Sequence, residues 1–169
     1  MYGLKIYFKL LGIGIIYVLT SCLGLTDEEI DFTPEREAAI IIEYMNSLTV
    51  RGYDIDTSDV GIYYVILEES EGEFAQHGDS IGLSYIGFFP ESNSIFDATE
   101  YWYEDGIWKF TYLSTDLIPG LNNAISLLNK GAAGLFLIPS DLAYGSSGSG
   151  VIPPYSPIVF ELKLVEIYE

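Results

Sequence analysis

From residue 61 to the end of the chain, only one segment carries helical spacing, and it is short. Leu121, Ala124, Ile125, Leu127 and Leu128 recur at intervals of three and four. Pro119-Gly120 opens this segment, and Lys130-Gly131, a basic residue followed by glycine, closes it. The stretches around it are β-rich: 61–68, 80–89, 95–99, 107–112, 132–138 and 157–167. The last alternates most cleanly. Ile158, Phe160, Leu162 and Leu164 point one way, and Val159, Glu161, Lys163 and Val165 the other. Many strands joined by short links, with one helix among them, define an α+β domain. Its antiparallel sheet needs that helix to cover its apolar face.

A second helix is expected ahead of the strands. Thr33 is a hydroxyl N-cap, Pro34 suits the first helical position, and Glu35 and Glu37 complement the helix dipole. Ala38, Ile41, Ile42, Met45 and Leu48 make an apolar stripe, so the helix should run to about Leu48. That stripe needs a partner, either the main domain or a second copy of itself in a homodimer. Residues 51–59 are polar and turn-like. Residues 139–157, rich in Gly, Ser and Pro, form a loop too long to be a mere connector.

The first 21 residues read as an address. Lys5 and Lys9 precede an apolar run, 10–19, that is too short for a good spanning helix. Leu19-Thr20-Ser21-Cys22 resembles a bacterial lipobox. The resemblance implies cleavage before Cys22, acylation of that cysteine and a lipid anchor in the cell envelope, on the outer membrane and facing either the periplasm or the surface. An uncleaved anchor helix is the competing reading. The acidic residues Asp27, Glu28, Glu29 and Asp31 resemble surface-export signals of Bacteroidetes lipoproteins, and a solvated tether explains them equally well. The expected organisation is therefore a signal peptide at 1–21, an acidic tether at 22–32, a helix and linker at 33–60, and the β-rich domain at 61–169.

Charge and composition remove several function classes. A formal charge of −18 repels phosphate backbones, so nucleic acid is not an expected partner. Cys22 is the only cysteine, which excludes an intrachain disulfide and a cysteine metal site. The one histidine, His77, lies in a turn-like Gln76-His77-Gly78-Asp79, with no nucleophile to serve. There is no phosphate-binding glycine motif, and no metal or cofactor is expected.

What remains is a set of aromatic and apolar residues in an ordered series of motifs. They are Gly78-Asp79-Ser80-Ile81-Gly82-Leu83-Ser84-Tyr85-Ile86-Gly87, Ile95-Phe96-Asp97-Ala98-Thr99, Leu117-Ile118-Pro119-Gly120-Leu121, Ile138-Pro139-Ser140-Asp141-Leu142-Ala143-Tyr144-Gly145 and Gly150-Val151-Ile152-Pro153-Pro154, with Ile158 to Leu162 after it. In that order they resemble the FKBP-type peptidyl-prolyl cis-trans isomerases over 78–167. The resemblance implies a strongly bent antiparallel sheet wrapped around one short helix, with a pocket between helix and sheet. Tyr85, Phe96, Asp97, Trp108, Ile118, Leu121, Tyr144, Ile152 and Phe160 fall on pocket positions, with Leu117 at the rim. Tyr85, Asp97 and Tyr144 would carry the polar part of catalysis, and the others would bind substrate. Four features depart from the family pattern, one of them the aromatic-rich segment 100–107. Leu121 stands where a tryptophan floor is usual, Trp108 replaces a phenylalanine, and the 145–150 loop is a residue short.

Such a family acts on proline-containing polypeptides, and its chemistry suits this residue set. Turning a peptide bond meets a barrier of about 18–20 kcal/mol from amide resonance. No bond breaks, so no nucleophile, metal or cofactor is required. A dry apolar pocket favours the less polar, twisted amide over the planar one. The alternative is a pocket that kept binding and lost turnover, acting as a binding module or chaperone.

Overall fold

In the computed structural model, which describes residues 31–168, seven strands form one antiparallel sheet. In chain order the elements are α1 (Pro34–Val50), β1 (Asp56–Thr57), β2 (Tyr63–Glu68), β3 (Ser80–Phe88), β4 (Ile95–Ala98), β5 (Trp108–Thr111), α2 (Pro119–Ser126), β6 (Ala133–Ile138) and β7 (Ile158–Tyr168). The sheet runs β1-β2-β6-β7-β3-β4, and β5 pairs with the N-terminal half of β3. The proposed signal segment, Cys22 and most of the acidic tether lie outside the described residues.

β7 and β3 form the spine. They pair from Ser80↔Tyr168 to Phe88↔Val159, with a bulge between Gly82 and Leu83. A bulge bends a strand and increases its twist. The resulting curl brings Ile81, Leu83, Phe136, Ile138, Ile158, Phe160, Leu162 and Leu164 onto one concave surface. α2 fills that hollow with Leu121, Ala124 and Ile125, and Leu128 packs just beyond its end, the last three with no solvent exposure. The fold is thus the curled α+β sheet around a short helix that the sequence implies, and it is not closed into a barrel.

α2 is shorter than its sequence signals suggest. It ends at Ser126 and not at Lys130-Gly131. The amides of Leu127 and Leu128 donate to the carbonyls of Ala124 and Ile125, tightening the chain into i→i−3 turns. Lys130 N–H then donates to Glu73 O, and Gly131 N–H to Leu164 O, so the stop signal serves the entry into β6 beside β7.

α1 begins as expected, with the Thr33 hydroxyl accepting from Arg36 N–H at 3.2 Å and Pro34 in the first turn. Its buried face is rotated from the expected stripe. Ile40, Tyr44 and Leu48 are buried, Ile41 and Met45 are half-buried, and Ala38 and Ile42 face solvent. The difference lies in Tyr44. Its ring completes an i, i+4, i+8 column with Ile40 and Leu48, which the expected stripe through Ile41, Ile42 and Met45 passes by. This face packs on the convex side of the same chain's sheet, against Val65, Leu135, Leu137 and Val159. β6 is consequently buried at every residue, because α2 covers one face and α1 the other. α1, the linker and the strands belong to one compact unit, 31–169, in which β1 pairs with β2.

Candidate active site

Three elements bring their ends to one place: the middle of β3, the β4 strand, and the start of α2. Tyr85 on β3 and Asp97 on β4 lie two residues apart in register and so on the same face of the sheet, since Ile86 pairs with Ala98 and Gly87 with Asp97. The Tyr85 hydroxyl donates to Asp97 Oδ2 at 2.7 Å. Asp97 Oδ1 accepts from the Trp102 indole N–H at 2.7 Å and from Ala98 N–H at 2.9 Å. The carboxylate is therefore held by three donors on both oxygens.

β7 places Phe160 beside Tyr85, with ring centres 5.6 Å apart and the rings edge-on at 79°. Trp108 on β5 stands on the other side of Tyr85, with centres 6.3 Å apart. Ile118 caps α2 with an extended backbone, and Leu121 one turn on is buried. Gly120 lets this helix start lie against β6. A Cβ there would collide with the Ile138 side chain and approach Leu142 O to 3.1 Å. The result is a cleft of about 260 Å³ lined by Tyr85, Asp97, Trp108, Asp116, Leu117, Ile118, Leu121, Tyr144 and Phe160.

Eight of the ten expected site residues line this cleft: Tyr85, Asp97, Trp108, Leu117, Ile118, Leu121, Tyr144 and Phe160. Phe96 and Ile152 do not. Phe96 stands behind the wall, packed on Phe160 at 5.7 Å and on Phe89 at 5.2 Å. Ile152 is buried in the inner core. The reciprocal bonds of Ser149 and Ile152, at 2.8 and 2.9 Å, close a tight turn with that side chain inward. Two residues were not anticipated. Asp116 lines the cleft, yet in the sequence it is one acid among many. Trp102 holds Asp97 from an exposed turn after β4, in a segment with no periodicity to read.

The electrostatics keep the cleft's phenols neutral. Burial pushes the Tyr85 pKa well up, and the hydrogen bond to Asp97 and the carboxylate's charge add to it. Burial, then the Asp97 charge, also raises that of Tyr144. Among the described residues the Tyr144 hydroxyl and the Ile118 N–H have no protein partner. Both groups belong to residues that line the cleft, beside one fixed carboxylate. Among the described residues, no cluster of three or more His, Cys, Asp or Glu side chains stands ready to hold a metal.

Residues 71–165 match the family of FKBP-type peptidyl-prolyl cis-trans isomerases, and the chain belongs to that family. Among its relatives are the FKBP-type peptidyl-prolyl cis-trans isomerase FkpA of Escherichia coli, 29% identical over 116 residues, and the probable FkpA of Neisseria meningitidis, 32% identical over 114. Each alignment takes in 67% of this chain and 40% of the relative, so the chain spans well under half of their length. Among solved structures, the peptidyl-prolyl cis-trans isomerase from Pseudomonas syringae superposes with a TM-score of 0.66 at 26% identity, over 83% of this chain and 99% of that one. Escherichia coli FkpA superposes with a TM-score of 0.64 at 24% identity, over 79% and 61% of the two chains, a likeness of fold.

Proposed function

We propose that the chain is a peptidyl-prolyl cis-trans isomerase that assists folding of exported polypeptides, with the Tyr85–Asp97–Tyr144 cleft as its active site. The observation that carries this reading is the convergence of two unpaired donors and an apolar floor on a cleft of prolyl size. A proline ring would rest on Leu121 between Trp108, Ile118 and Phe160. The Ile118 N–H and the Tyr144 hydroxyl would hold carbonyls of the bound segment. In the twisted amide the carbonyl oxygen loses charge, and the dry aromatic wall favours that state over water. Asp97 fixes Tyr85 so that the wall does not rearrange as the carbonyl swings. A thousandfold acceleration requires about 4 kcal/mol, a sum that burial and one or two hydrogen bonds supply.

The test is protease-coupled isomerisation of Ala-Xaa-Pro-Phe peptides by the chain from Leu23 onward. Turnover should be measurable, and Tyr144→Ala and Asp97→Ala should each lower kcat/KM at least tenfold. One feature favours a second reading, a binding module with weak turnover: Leu121 gives a narrower floor than a large aromatic residue would. Tight peptide binding without turnover would establish it.

The lipobox-like Leu19-Thr20-Ser21-Cys22 supports placement in the cell envelope through acylated Cys22. Cys22→Ser should release the protein from membranes, and undiminished membrane retention would defeat that placement. A homodimer through α1 would need a surface other than Tyr44 and Leu48, which are already packed on the sheet.

A further inference from the structure

The first turn of α1 reaches the loop that carries Tyr144. Glu37 Oε1 accepts from the Ser140 amide at 2.6 Å, and Glu37 Oε2 accepts from the Ser140 hydroxyl at 2.7 Å. Ser140 is 4% exposed, so both donors are taken out of water and the carboxylate is their acceptor. Charge-assisted pairs of this length are the strong class of hydrogen bond, and losing one side leaves buried donors unmatched.

Ser140 is not an arbitrary anchor. It opens the single helical turn Ser140–Leu142, and its carbonyl accepts from Ala143 N–H at 2.9 Å. Tyr144 follows directly and lines the cleft. Beyond it, Gly148 N–H donates to Tyr144 O at 3.1 Å and Tyr155 N–H to Gly145 O at 2.9 Å. The backbone thus runs through linked turns from the Glu37 contact to both sides of Tyr144. The same turn abuts α2, because Leu142 O lies within 3.1 Å of where a Gly120 Cβ would stand. The neighbouring Arg36 guanidinium binds both carboxylate oxygens of Glu91, at 2.7 and 2.8 Å, beyond the end of β3.

We propose that Glu37 is a positioning residue for the cleft: from α1, a helix that contributes nothing to its lining, its carboxylate holds the turn that places the Tyr144 hydroxyl. This inference rests on the isomerase reading for its kinetic consequence, while the tether itself is open to a separate measurement. Amide hydrogen exchange of the full soluble chain from Leu23 onward tests the tether. In Glu37→Ala the amides of Ser140, Ala143, Gly148 and Tyr155 should exchange on the order of tenfold faster, and those of β3 and β7 should stay near wild type. Peptide isomerisation tests the consequence. Glu37→Ala should lower kcat/KM on the order of tenfold, because displacement of a catalytic group by an ångström is costly. Glu37→Gln, which keeps an acceptor for the Ser140 amide, should recover most of it. In a Tyr144→Phe background, Glu37→Ala should cost little further. Unchanged exchange in 140–155 would overturn the proposal, and so would an equal kinetic penalty with and without the Tyr144 hydroxyl. If Glu37→Ala does not fold, Ser140→Ala removes one of the two bonds and carries the same comparison. A wild-type chain without turnover would sink the isomerase reading and leave the exchange result to decide the tether.

Discussion

Asp97 is the residue on which most of the cleft's polar order depends. It binds the Tyr85 phenol, the Trp102 indole and its neighbour's amide at once. Asp97→Ala should therefore do two things. It should lower isomerase activity, and it should destabilise the fold by about 1–3 kcal/mol, because the half-buried Tyr85 hydroxyl loses its acceptor. Urea unfolding followed by far-ultraviolet circular dichroism checks the second. Trp102→Phe removes one donor from an exposed turn, so stability should shift by less than about 1 kcal/mol and activity by a few-fold. Gly87 sits where the aromatic wall is tightest. A Cβ there would lie 2.7 Å from Phe96 Cζ and 2.8 Å from Phe160 Cε1, so Gly87→Ala should cost about 1–3 kcal/mol and distort the wall. These residues differ in how visible they are in a sequence. Tyr85, Asp97 and Tyr144 stand inside ordered motifs and were readable. Trp102, Asp116 and Glu37 are not, since their importance comes from contacts made only after folding. The Glu37–Ser140 pair, for example, spans 103 positions.

At the scale of elements, alternation made β7 legible, and both of its faces behave as the pattern demands. The concave side carries Ile158, Phe160, Leu162 and Leu164, and the convex side exposes Glu161 and Lys163. β6 gave a continuous apolar run, which indicates a strand buried on both sides without naming what covers it. α2 turns out to cover its concave face and α1 its convex one. The two residues of β1 are exposed on both faces and carry no alternation, so only the pairing Asp56↔Tyr64 and Thr57↔Tyr63 reveals them. α2's end was misplaced because a Lys-Gly stop signal can close a turn as well as a helix. The packing of α1 leads to a prediction at this scale. Leu48 is 3% exposed against Val65, Leu135, Leu137 and Val159, so Leu48→Ala should cost about 2–5 kcal/mol. The loss should appear in one transition seen alike by helix circular dichroism and by the emission of Trp102 and Trp108. Separate transitions for the two probes would show α1 to be an independent appendage.

The molecule as a whole is defined by acid and by buried phenols. Burial holds Tyr44 up at about 12 from an ordinary 10.0, and the pKa values of Tyr85, Tyr112 and Tyr144 are raised for the same leading reason. A raised phenol pKa means that above pH 10 the unfolded chain releases protons that the folded chain retains. The folded state's advantage is complete below that point and is lost as pH climbs through the folded values. Stability should thus fall between about pH 10 and 12, with Tyr44→Phe flattening part of the slope. Under the proposed isomerase function, the formal charge of −18 bears on which peptides reach the cleft. The cleft is lined by Asp97 and Asp116 and by no basic side chain. A prolyl peptide carrying lysine is drawn toward such a surface, and one carrying glutamate is repelled. At an ionic strength of 0.01 M the field reaches about 30 Å, and at 1 M about 3 Å. The kcat/KM for Ala-Lys-Pro-Phe should therefore exceed that for Ala-Glu-Pro-Phe several-fold at low salt, and the ratio should contract toward one at high salt. An unchanged ratio would mean that the preference comes from pocket shape, and an absent one that the acidic surface lies outside the client's path.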